Sequence, residues 1–148
     1  MAAFSIVWPT IALVALTWAV WFHMYRKRIA HLRANPPTED QFRTGEAALR
    51  YFQPVEMPAN NLANLFEMPV LYFALVPLLL TTGHATVAQT ILACLYVVFR
   101  ALHSWEHIGA NRVLTRFRWY LMSCAVLMAM WIGFAINFAA AHLDLMLG

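Results

Sequence analysis

Four stretches of about twenty apolar residues divide the chain, each long enough to cross a bilayer as a helix. They run over Phe4–Tyr25, Asn61–Thr82, Thr86–His107 and Trp119–Ala141. Polar positions gather between them in a long connection, residues 26–59, and a shorter one, residues 108–118, on either side of a tight hairpin around Gly83. The pattern predicts an all-α integral membrane protein, a four-transmembrane-helix bundle in which residues 1–148 form one domain. Within the long connection, Pro36 and Pro37 end the first helix. Thr38, followed by Glu39, Asp40 and Gln41, reads as the cap of a short helix that Pro54 and Pro58 break again.

Composition agrees with a membrane chain. Of 148 residues 62% are hydrophobic and 11% charged, with mean hydropathy +0.61, against about 25% charged in a soluble domain. The first segment has no basic residue before it and is longer than the apolar core of a signal peptide, so it is expected to remain as a helix. Cys94 and Cys124 fall inside apolar spans without C-x-x-C spacing and read as packing residues.

Charge sets an expected orientation. Arg26, Lys27, Arg28, Arg33, Arg43 and Arg50 lie in the first connection, Arg112, Arg116 and Arg118 in the third, and Arg100 just inside the helix before it. The second connection has no basic residue. The positive-inside rule then places the first and third connections in the cytoplasm and both termini on the non-cytoplasmic side. The net charge of +3 follows from this placement and from attraction to anionic lipids, not from a nucleic-acid surface.

Two charges stand deep inside apolar spans, Glu67 and Arg100, where each costs about 2.5–3.5 kcal/mol to insert. At 1.5 Å per residue, Glu67 lies about 10 Å below the cytoplasmic surface and Arg100 about 12 Å. Their similar depth predicts an ion pair, within the chain or across a subunit boundary. Asn64 shares the face of Glu67, and Arg100, His103 and His107 form a stripe that Tyr96 extends inward. Together these residues predict a polar pocket open to the cytoplasm; their alternative role is a buried network that only fixes helix packing. The segment His103–His107 also reads H-x-x-E-H, two histidines that could share a metal ion with Glu106 as base. Zinc chemistry would need a third protein ligand, and the nearby Arg100 would repel a dication, so no metal site is expected.

These motifs resemble the membrane-associated proteins in eicosanoid and glutathione metabolism, the MAPEG superfamily. "NLFE", Asn64 to Glu67, is similar to that family's N-x-x-E on the second helix, and "RALHSWEH" to its R-x-x-H/Y-x-x-x-Y on the third. Arg116 stands sixteen residues after Arg100, with Tyr120 four further on, a spacing similar to the prostaglandin E synthase branch. "RKRIAHLRANPPTED" is similar to the basic stretch after the first helix there. The resemblance implies a homotrimer in a bacterial inner membrane, binding glutathione between subunits near the cytoplasmic face and acting on a lipophilic small molecule. It implies that Asn64, Glu67, Arg100, His103, His107 and Tyr120 line or support the glutathione site, and that Arg116 stabilises the thiolate. The chain departs from the family at Ala63 and Asn60, where an arginine usually contacts the peptide carboxylates, at His107 in place of tyrosine, and at Phe117 in place of serine. Three functions remain open at this point: a glutathione-dependent transferase or peroxidase, a non-catalytic member that binds a lipid or fatty acid, and a zinc hydrolase.

Overall fold

The computed structural model describes residues 6–147; the expected start of the first helix at Phe4 lies outside them. It contains four helical spans long and apolar enough to cross a membrane, and the described residues contain no strand. Helix α1 covers Val7–Ala34, 28 residues, or about 42 Å at 1.5 Å per residue. That exceeds a hydrocarbon core of about 30 Å, so the helix continues well past Tyr25. Apolar character ends there, but Arg, Lys, Ala and Leu are good helix formers whether or not lipid surrounds them. The helix stops at Asn35, whose φ of −133° and ψ of 82° are no longer helical, as the proline that follows disfavours the helical region there. Pro9 sits in the first turn of α1 and needs no kink.

The connection after α1 folds back on it. A 3-10 turn over Glu39–Phe42 begins where the Thr38 N–H donates to Gln41 Oε1 at 3.0 Å. Helix α2, Gly45–Phe52, is capped by Thr44, whose Oγ1 accepts from the Ala47 N–H at 3.1 Å. His31 Nε2–H donates to the Tyr51 carbonyl at 3.1 Å, and the Tyr51 hydroxyl donates to the Asn35 carbonyl. The Arg28 guanidinium lies 4.9 Å from the centre of the Phe52 ring.

The second span is two helices rather than one. Helix α3 covers Met57–Asn64, with Pro58 in its first turn, and α4 covers Pro69–Thr81. Pro58 thus opens a helix instead of breaking one, since a first-turn N–H has no helical partner to lose. Between α3 and α4 the chain tightens, with Phe66 N–H donating to Ala63 O at 2.9 Å and Leu71 N–H to Met68 O at 3.1 Å. Pro69 supplies the cause: it has no N–H for the Leu65 carbonyl, and its ring would crowd that carbonyl in a continuous helix.

Gly83, at φ +73°, makes the hairpin to α5, Val87–Ile108. A turn then leads to α6, Val113–Leu147. Helix α6 starts before Trp119 for the same reason that α1 outlasts Tyr25: the arginines of the connection are themselves helical.

Helix α5 carries its polar residues inward. Gln89, Tyr96, Arg100, His103, Ser104, Glu106 and His107 are buried, while Ile91, Val98 and Trp105 are exposed. Trp105, 81% exposed, suits a headgroup-level anchor. In lipid an apolar outer face is the favourable one, and the inner face must satisfy itself. Gln89 Nε2 donates to the Met130 carbonyl at 2.9 Å, and Ser104 Oγ to Asn61 Oδ1 at 3.2 Å. The apolar core, including Leu13, Tyr72, Leu75, Leu127 and Met130, fills the rest of the bundle. Tyr72 stacks on Tyr96 at 5.0 Å and shares a 3.0 Å hydrogen bond with Thr10. Cys124 is half-buried, whereas Cys94 is exposed and does not pack inside.

Candidate functional site

The break between α3 and α4 opens the bundle beside the start of α6. Asn64, Glu67, His103, Val113, Leu114, Arg116, Phe117 and Tyr120 line a groove of about 430 Å³ there. Five of the residues singled out in the sequence therefore meet: Asn64, Glu67, His103, Arg116 and Tyr120. The groove takes one residue from the end of α3, one from the break, one from α5 and the rest from the first two turns of α6.

Arg100 and His107 stand outside the groove lining. Arg100 is fully buried. Its Nη2 donates to the Asn64 carbonyl at 2.5 Å, and its guanidinium lies 5.7 Å from the centre of the Tyr120 ring. Asn64 ends α3, where a carbonyl has no helical N–H to accept from, so the break supplies the arginine with its acceptor. Nε and Nη1 of Arg100 have no partner. Arg100 thus supports two groove residues from behind.

The expected Glu67–Arg100 ion pair is not formed within the chain. Among the described residues the ion pairs are Arg43–Asp40, Arg50–Glu46 and Arg112–Glu106. The depth estimate assumed an unbroken helix; Glu67 instead lies in the break and is exposed.

His103 is buried, and its Nδ1–H donates to the Arg116 carbonyl at 3.0 Å. The bond fixes the first turn of α6 against α5. Its Nε2 is unpartnered, as is Nδ1 of His107, whose ring is 5.5 Å away. The His103 ring also lies 5.6 Å from Tyr120. His107 thus fills space behind His103, in contact with it and not with the groove.

Glu106, the acid of the H-x-x-E-H match, is occupied. It accepts from the Arg112 N–H at 3.1 Å, from Nε at 2.9 Å and from Nη2 at 3.1 Å. The bidentate grip is the strong form of an arginine–carboxylate contact, and hydrogen bonding to Glu106 raises the Arg112 pKa above its ordinary value. Among the described residues no group of three His, Cys, Asp or Glu side chains is placed to hold a metal ion.

Arg116 is half-buried and held at one end: its Nη1 donates to Asn111 Oδ1 at 2.6 Å. Sequence reasoning passed over Asn111, Asn61 and Arg112, all three of which brace the site. A signal for Asn111 was present, since asparagine two residues after Gly109 suits a left-handed turn position.

The model of the MAPEG family matches the chain over residues 6–136. Comparison with curated proteins and with solved structures gave no match. The matched region contains all four spans nearly to their ends, the α3–α4 break and every residue of the groove. The chain therefore belongs to the MAPEG family.

Proposed function

We propose that the protein is a membrane-bound, glutathione-dependent transferase or peroxidase acting on a lipophilic electrophile, with Arg116 stabilising the thiolate. The observation that carries this reading is the joining of Arg116, Asn64, Glu67, His103 and Tyr120 in one groove. Glutathione has one ammonium, two carboxylates, two amides and a thiol. Glu67 suits the ammonium, Asn64 and Tyr120 suit the peptide groups, and Arg116 suits an anion. When bound, glutathione supplies the sulfur nucleophile. The protein's part is to hold it and keep it ionised. Lowering a thiol pKa from about 8.5 toward 7 takes about 2 kcal/mol, within reach of one poorly hydrated guanidinium.

One chain's groove offers a single cation, Arg116, which this reading gives to the thiolate, so the two carboxylates need cations from elsewhere. Asn60 and Ala63 are exposed and carry no charge. A trimer in which the basic residues Arg26, Lys27, Arg28 or Arg50 of a neighbouring copy reach the groove supplies them. The orientation proposed with it puts α2 and the 109–112 turn in the cytoplasm, on the side where glutathione is abundant.

The uncharged Ala63 and Asn60 favour a second reading, a non-catalytic member that holds a fatty acid or lipid, because a single carboxylate needs only Arg116. Zinc hydrolysis is disfavoured by Glu106, whose two oxygens are committed to Arg112.

Turnover of glutathione with a generic aromatic electrophile separates these readings. Arg116→Ala is expected to lower the rate by about tenfold or more, at least 1.4 kcal/mol. Arg118→Ala, an exposed neighbour outside the groove, is expected to leave it within twofold. Equal losses would reduce Arg116 to an interfacial anchor, and no turnover in the unmutated protein would favour the lipid-binding reading.

A further inference from the structure

The turn between α5 and α6 holds a residue whose side chain has a separable task. Among the described residues Asn111 is the one non-glycine with positive φ, +49°. Glycine occupies that region without steric cost, and asparagine is among the few other residues that tolerate it. The turn is closed by main-chain bonds: Gly109 N–H donates to Trp105 O at 2.9 Å, and Asn111 N–H to Glu106 O at 2.7 Å. Arg112 adds its grip on Glu106. None of these contacts uses the Asn111 side chain.

That side chain points both ways along the site. Its Oδ1 accepts from Arg116 Nη1 at 2.6 Å, and its Nδ2 reaches Met57 Sδ at 3.4 Å, at the start of α3. The amide therefore fixes Arg116 on α6 relative to the helix that carries Asn64. An arginine side chain has five N–H donors in a rigid fork. Asn111 takes one end of the fork, and Arg116 itself lines the groove. Because the amide is neutral, it aims the guanidinium without cancelling its charge, as a carboxylate at the same position would.

We propose that Asn111 is a positioning residue for Arg116: it holds the guanidinium preorganised toward the groove and thereby sets how strongly the site ionises a bound thiol. The role rests on the reading of Arg116 as the thiolate's cation. Preorganised charge is worth more than a mobile one, because nothing has to be reoriented during the reaction.

The test compares the unmutated protein, Asn111→Gly and Asn111→Asp in lipid nanodiscs with added glutathione. The readouts are melting temperature and the pH midpoint of thiolate ultraviolet absorbance. Asn111→Gly suits the backbone, so it is expected to melt no lower than the unmutated protein. It should raise the thiol midpoint by about one pH unit, a tenfold smaller thiolate fraction well below the midpoint. Asn111→Asp keeps the grip on Arg116 but neutralises it, and should raise the midpoint at least as far. Midpoints unchanged in both variants, with thiolate present in the unmutated protein, would overturn the positioning role alone. A lower melting temperature with an unchanged midpoint would make Asn111 structural only. Absence of any thiolate in the unmutated protein would overturn the reading of Arg116 and this role with it.

Discussion

Arg100 is a cation with no access to water, held by one carbonyl and the face of Tyr120. Burying a charge costs several kcal/mol that an ion pair only partly returns. Glu67 meanwhile is exposed. In ligand-free protein, Glu67→Gln should therefore change stability by no more than about 0.5 kcal/mol, as for an isolated surface substitution. A loss of about 3–5 kcal/mol, typical of breaking a buried pair, would show that Glu67 is paired and covered in the assembly. Thermal melts in detergent distinguish the two. Glu106 presents the reverse situation, with its carboxylate covered and gripped on both oxygens by Arg112. Arg112→Ala should lower the melting temperature clearly more than Arg118→Ala, which removes an exposed charge with no such partner. Equal effects would mean that the Glu106–Arg112 contact contributes nothing to the α5–α6 turn.

Among the elements, the α3–α4 break has the largest consequences. It ends α3 at Asn64, exposes Glu67 and presents a carbonyl to Arg100. Pro69→Ala should therefore allow the helix to run through, with a new N–H available to the Leu65 carbonyl. Hydrogen exchange of the amides from Phe66 to Val70 should slow in that variant, and glutathione binding should weaken as Asn64 and Glu67 are re-aimed. Unchanged exchange would assign the break to packing instead. The number of spans was legible because about twenty apolar residues in a row have few other uses. Helix ends were less so: apolarity marks where lipid lies, and α1 and α6 run beyond it through arginines that favour helix as well as leucine does. Pro69 was visible, but a proline within an apolar span is compatible with a kink, a break or neither. Asn64, Glu67, His103, Arg116 and Tyr120, which the motif spacing grouped, line one groove. Arg100 and His107 pack behind that groove; i, i+3, i+7 spacing puts residues on one helix face but does not say which of them reaches a groove and which supports it.

For the whole molecule, one chain leaves much apolar surface uncovered. Met128, Ile132 and Ile136 on α6 are more than half exposed, as are Val70 and Phe66 around the break. Lipid can cover such surface, but the shortfall of cations in the groove argues for a neighbouring copy beside it. Native mass spectrometry from detergent should find a trimer, and a monomer at all concentrations would remove the proposed source of the cations for the two carboxylates. The central claim, that the groove binds glutathione and holds it as thiolate, is tested most directly by an ultraviolet difference spectrum. Glutathione is titrated to millimolar concentration into the unmutated protein at neutral pH, with Arg116→Ala alongside. The predicted result is a saturable thiolate band in the unmutated protein that is absent from Arg116→Ala at the same degree of folding. No band in the unmutated protein, or an equal band in both, would contradict it.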